Sequence, residues 1–167
     1  MVDEVFIREM TASDWPAVRE IFAAGISTGD ARFESEPPPW DWFDAAHRPD
    51  LRLVAVDGGD TVIGWVAAGP VSDRHVYRGV VEHSVYVHPG WRGRGVGRRL
   101  PTTFIELTER RGIWSIRSGM FPENEASRAL HLTCGFRVVG TLERVGEREG
   151  RWRDVLLVER RSDKVGI

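Results

Sequence analysis

The chain has 167 residues, 41% hydrophobic and 29% charged, a make-up that fits one soluble globular domain spanning residues 1–167. A formal net charge of -2 gives no electrostatic reason for a nucleic acid or an anionic membrane as partner, and a single cysteine, Cys134, excludes an intrachain disulfide. The acidic start Met1-Val2-Asp3-Glu4-Val5 is not a signal peptide, and no apolar run nears the roughly 20 residues that span a bilayer, so a cytoplasmic protein is expected.

Val5–Met10 alternates as a first strand. Thr11-Ala12-Ser13-Asp14 then supplies N-cap chemistry for a helix over Asp14–Gly25, whose Val18, Ile21, Phe22 and Gly25 fall at helical spacing. A loop over Thr28–Pro39 leads to a short helix, Trp40–His47, with Trp42 and Phe43 turned inward. Leu51–Val56 and Val62–Gly69 are strands joined by the turn Asp57-Gly58-Gly59-Asp60. Val80–His88 is a further strand, halted by Pro89-Gly90. Val96–Arg111 reads as a helix in which Pro101 is tolerable only near the first turn or as a kink. Ile113–Ser118 is a short strand, and Asn124–Cys134 a helix ended by Gly135. Phe136–Val145 and Trp152–Glu159 close the chain as an antiparallel pair around Gly146–Gly150. The order predicts a mixed α/β or α+β domain.

The most informative stretch is Val85-Tyr86-Val87-His88-Pro89-Gly90-Trp91-Arg92-Gly93-Arg94-Gly95-Val96-Gly97-Arg98. A strand ends, glycines alternate with basic residues, and a helix begins. Such a turn aims successive backbone N–H groups and the positive end of a helix dipole at an anion. Glycine lets main chain approach phosphate oxygens, and Arg92, Arg94 and Arg98 add charge-assisted bonds. A pyrophosphate is the natural guest. No Gly-Lys-Ser/Thr follows, so this is no Walker A loop, and the even spacing of Gly93, Gly95 and Gly97 differs from the dinucleotide fingerprint.

Arg92-Gly93-Arg94-Gly95-Val96-Gly97 resembles the Arg/Gln-x-x-Gly-x-Gly/Ala motif of the GCN5-related N-acetyltransferases, which holds the pyrophosphate of coenzyme A. Four further stretches resemble the phosphinothricin N-acetyltransferase subfamily: Val81–Pro89, Arg32–Pro37, Asn124–Phe136 and Gly150–Val155. The similarity runs from about Ile7 to Val158. It implies acetyl-CoA as co-substrate and a central mixed sheet that splays where Val80–His88 leaves Ile113–Ser118. It also implies a pantetheine arm bonded to backbone near Val85, Tyr86 and Val87, cofactor contacts from Asn124 and Ser127, and a homodimer.

Acetyl transfer needs a deprotonated amine, and an α-amino group with a pKa of about 8 is mostly protonated at neutral pH. Glu82 shares its strand with Val81, His83, Val85 and Val87, which point to the opposite face, and the resemblance puts the subfamily's base at the same position. Buried there, its pKa would rise toward the working range; a salt bridge at a strand end is the competing role. His131 matches the subfamily's site histidine, although packing of a helix histidine against a strand explains it equally. The resemblance makes Arg74 and Tyr77 substrate contacts and Phe33 an aromatic cover over the ligand, whereas a mere surface role fits the first two as well. Trp152 is a further candidate for the pocket wall. Ser72 stands where the herbicide-detoxifying enzymes carry lysine, which opens the choice of acceptor to methionine sulfoximine, methionine sulfone or an ordinary amino acid. The five histidines lack metal-ligand spacing, and no metal is expected. An acyl-CoA sensor and a protein-lysine acetyltransferase are the alternatives.

Overall fold

The computed structural model describes residues 4–29 and 32–167; Met1–Asp3 and residues 30–31 of the expected loop lie outside the described residues. In chain order the elements are β1 (Val5–Glu9), α1 (Trp15–Ile26), α2 (Trp40–Ala46), β2 (Arg52–Asp57), β3 (Val62–Pro70), β4 (Val80–Val87), α3 (Val96–Arg110), β5 (Ser115–Met120), α4 (Glu125–Thr133), β6 (Arg137–Arg148) and β7 (Arg151–Arg161). The strands form one seven-stranded mixed sheet in the order β1-β2-β3-β4-β5-β7-β6. Only β4 and β5 run parallel; the other neighbours are antiparallel.

Alternation along β2 and β3 feeds two cores, one on each face of the sheet. Leu53, Ala55, Ile63 and Val66 pack with Leu100, Phe104 and Leu107 of α3. Val54, Val56, Trp65 and Ala67 pack with Val18, Ile21 and Phe22 of α1 and Phe43 of α2. The N-cap chemistry expected at Thr11–Asp14 takes the form of a capping box on the short 3-10 turn Ala12–Asp14 that leads into α1, with the Thr11 N–H donating to Asp14 Oδ2 at 2.8 Å. At the β2–β3 turn, Asp57 Oδ1 accepts from the Gly59 and Thr61 N–H groups.

Several expectations are corrected. Trp42 is 52% exposed while Phe43 is fully buried, because neighbouring helix positions diverge by about 100°. The inward pair is Trp40 and Phe43, stacked at 5.9 Å. Pro101 sits well inside α3 and is buried, so it cannot donate to the Gly97 carbonyl. The strand expected at Ile113–Ser118 runs over Ser115–Met120, since buried Ile113 serves as the lead-in. The closing hairpin is longer than its apolar content suggested. Its turn shrinks to Glu149 and Gly150, both at positive φ (52 and 76), as a two-residue turn requires, and a bulge near Arg144 absorbs the twist.

Candidate functional site

The cleft arises where the sheet splits. β4 pairs with β3 along Val81–Val87 but with β5 only through Val80–Glu82. The Ser118 hydroxyl donates to the His83 carbonyl at 3.4 Å, the last tie before the strands part. The His88 N–H bonds to Ile63 O on β3 at 2.8 Å, so strand alternation turns the main-chain groups of Val85 and Val87 into the gap. The opening has a volume of about 900 Å³ and is lined from both sides, by β4 and the glycine-rich turn and by β5 and the start of α4.

At one end the wall is main chain. Gly95 is the N-cap of α3 at φ 83, and Gly93 has φ 75; a Cβ at either would meet no atom within 4 Å, so conformation rather than space demands glycine. The Arg99 N–H is the first to close a helical bond, on Gly95 O, which leaves the N–H groups of residues 96–98 without helical acceptors. Across the gap Asn124 caps α4, accepting from the Ser127 N–H at 3.2 Å. Val85, Tyr86, Val87, Arg92, Gly93, Gly97, Asn124 and Ser127 all line the cleft. Arg94, Gly95, Val96 and Arg98 do not. Arg94 lies over the Trp91 ring at 4.9 Å, and Val96 is a core residue. Arg94, Gly95 and Arg98 are exposed outside the cleft. An acyl-CoA fits this frame: a strand edge for an amide-bearing arm, and helix-end N–H groups for a diphosphate.

At the other end the wall is side chain. Glu82 lies on the cleft wall and is exposed rather than buried among the valines, which point to the α3 face. Phe33 meets Phe121 edge-on at 4.9 Å, and its ring covers Gly146, where a Cβ would come within 2.7 Å. Behind Phe121, the Arg153 guanidinium sits 3.9 Å from the ring centroid and bonds Glu123 Oε2 at 3.1 Å and Gly29 O at 3.3 Å. A hydrogen bond from its own backbone, then Arg153, holds the Glu123 carboxyl below its usual range. Tyr86 stacks between Phe22 and Trp65, and burial pushes its hydroxyl up to about 12. Arg32 and Glu34 also line the cleft.

His131 is placed behind the cleft and does not line it. It is buried, its Nδ1 bonded to Ser127 O at 2.7 Å and its Nε2 to His83 Nε2 at 3.0 Å. A carbonyl only accepts, so Nδ1 of His131 carries the proton and its Nε2 accepts from His83. His83 Nδ1 is then the bare nitrogen, and it has no partner. Burial depresses the pKa of His131, and depresses that of His83 further with a contribution from His131. The pair therefore stays neutral and packs beneath the cleft.

Three further expectations do not reach the cleft of this chain. Arg74 and Tyr77 stand on an exposed loop, stacked on each other at 5.5 Å. Trp152 is 59% exposed on β7. Arg32, His83, Phe121 and Arg153 have no mark as site residues in the sequence, except that Arg32 opens the stretch Arg32–Pro37 that carries the resemblance. Among the described residues no group of His, Cys, Asp and Glu is placed to hold a metal, and no helix is long and apolar enough to cross a membrane.

The chain resembles known proteins in sequence and in overall fold. The profile of the acetyltransferase (GNAT) family matches residues 8–136. The L-methionine sulfoximine/L-methionine sulfone acetyltransferase of Pseudomonas paraeruginosa is 32% identical over 162 residues, covering 94% of each chain. The phosphinothricin N-acetyltransferase of Alcaligenes faecalis is 37% identical, over 92% of this chain and 81% of the relative. The structure also superposes on a phosphinothricin acetyltransferase of Sinorhizobium meliloti solved with acetyl-CoA, at a TM-score of 0.86 and 27% identity, covering 99% of this chain and 91% of that one.

Proposed function

The chain belongs to the acetyltransferase (GNAT) family and is an acetyl-CoA-dependent N-acetyltransferase; from that premise we propose that its acceptor is the α-amine of a small amino-acid analogue of the phosphinothricin, methionine sulfoximine or methionine sulfone type. The supporting observation is the cleft at the split between β4 and β5, which sets Glu82 on the same wall as the main-chain groups of Val85 and Val87. Acetyl-CoA supplies the acetyl group as a thioester. Gly93, Gly97 and the N-terminus of α3 hold its diphosphate, with Arg92 adding charge, while Asn124 and Ser127 form the facing wall. Val85 and Val87 offer backbone donors and acceptors to the pantetheine amides, and the Val85 N–H donates to the acetyl oxygen as charge develops there.

Glu82 accepts the proton of the attacking amine, directly or through one water, which restores the neutral nucleophile that transfer requires. The thiolate that leaves is tolerable near neutral pH, so no general acid is needed. His131 supports the cleft from behind through His83 and Ser127 and takes no proton in the reaction. Phe33 closes over the acceptor against Phe121. A homodimer and a cytoplasmic location complete this reading; both rest on the resemblance and composition, and sedimentation equilibrium and cell fractionation test them.

Thiol release from acetyl-CoA, followed colorimetrically with phosphinothricin, methionine sulfoximine, methionine sulfone and the common amino acids, tests the assignment. Turnover is expected with at least one sulfone or sulfoximine. Rates no higher than background with every α-amino compound contradict it.

A further inference from the structure

The acceptor end carries a cation that the family resemblance does not assign. Among the described residues lining the cleft the arginines are Arg32 and Arg92, His83 being buried, and Arg92 belongs to the glycine-rich turn at the cofactor end. Arg32 projects from the segment after α1, over the Phe22 ring at 5.3 Å, and Phe22 stacks at 5.0 Å on Tyr86. It therefore stands on the same face of β4 as Glu82, since Glu82 and Tyr86 are an even number of residues apart. Its fork is turned to Glu34, with Nε donating to Oε2 at 2.9 Å and Nη2 to Oε1 at 3.3 Å. The Arg32 side chain is 25% exposed and that of Glu34 48%.

We infer that Arg32 binds the carboxylate of the acceptor, and that Glu34 is an internal stand-in which the acceptor displaces. This inference rests on the acetyl-transfer reading above. A guanidinium fork that already holds one carboxylate side-on has the geometry to hold another. The existing pair joins residues two apart in irregular chain and is half open to water, so it is weakly held and exchangeable. Arg153 is already engaged by Glu123, so without Arg32 the acceptor end presents Glu34 and Glu82, a field that admits an amine but repels an acid. With it, a zwitterion finds Glu82 for its amine and Arg32 for its carboxylate. Arg32 is thereby the residue that makes this chain prefer a free carboxylate over the corresponding amino-acid amide.

The experiment compares methionine sulfone with its carboxamide, by calorimetric binding to the CoA-loaded protein and by thiol release, in the wild type, Arg32→Gln and Glu34→Gln. The wild type is expected to bind the acid at least tenfold more tightly than the amide. Arg32→Gln raises Kd and KM for the acid about tenfold or more and leaves kcat within threefold and the amide unchanged. Glu34→Gln moves the other way and tightens the acid two- to fivefold, because the competing carboxylate is gone. Equal affinity for acid and amide in the wild type, no binding of the acid, or a loss in both variants that falls alike on acid and amide, overturns the role of Arg32. Acid-selective, Arg32-dependent binding without thiol release upholds Arg32 and overturns the transfer reading instead.

Discussion

At the proposed cofactor end the cleft wall is largely main-chain N–H and C=O, fixed by a split in the sheet, two left-handed glycines and two helix N-termini. At the acceptor end it is the side chains of Arg32, Phe33, Glu34, Glu82 and Phe121, drawn from segments about 90 residues apart in the chain. The first kind of site needs particular residues at consecutive positions, because each φ/ψ value is set locally. The second needs only that distant residues converge, and many sequences achieve that.

The sharpest way to break this contrast is Gly93→Ala with Gly95→Ala. No atom obstructs either Cβ, so the cost is conformational alone, about 1–2 kcal/mol at each position. Calorimetry should show acetyl-CoA affinity falling more than tenfold with the acceptor KM little changed. An unchanged affinity means that side chains, not the turn's backbone, hold the diphosphate.

Arg153→Ala probes the acceptor end, where one buried guanidinium ties Phe121, Glu123 and the Gly29 carbonyl together. Its loss should cost about 2 kcal/mol, roughly 5 °C in thermal midpoint. The acceptor KM should rise while acetyl-CoA binding holds. A loss of cofactor affinity as large as that of the glycine variants would show that the two ends are one unit.

The histidine pair under the cleft gives a smaller, pH-dependent effect. Both pKa values are depressed in the folded state, so the unfolded chain binds more protons once pH falls below about 6.5. Stability is then complete above that pH and is lost as pH falls, by up to about 1.4 kcal/mol per pH unit for each histidine. Thermal midpoints measured between pH 7.5 and 5 should decline in the wild type and flatten in His83→Phe. Equal slopes would remove the pair as the cause.

The smallest effect is expected from Arg74→Gln. Outside the cleft, this residue should alter the acceptor KM less than twofold. A tenfold rise would bring the 71–79 loop, of the same or a second subunit, into the acceptor site and reverse the assignment made for Arg32.

The legibility of the sequence follows the same division. The strand–glycines–helix stretch at Val85–Arg98 could be read directly, because positive φ and an unfilled helix N-terminus leave their mark in adjacent residues. Alternation along Leu51–Gly69 and the cap at Thr11–Asp14 were equally plain. Arg32 was hidden because an arginine in a loop has no period or motif to mark it. Arg74 and Tyr77 stand outside the cleft of this chain, because a resemblance carries positions but not the reach of a loop. His131 lay beyond reach of pattern as well, since its partner His83 is 48 residues earlier and the bond between them exists only after folding.

The proposed chemistry turns on Glu82, on the wall of this cleft, taking the proton of the acceptor amine. Thiol-release rates for wild type and Glu82→Gln, measured from pH 6 to 9 with methionine sulfone at saturating acetyl-CoA, test it most directly. Glu82→Gln should lose about 10²-fold or more in rate, most at low pH where the amine is protonated, with acetyl-CoA binding intact. Equal rates for the two proteins across that range would contradict it.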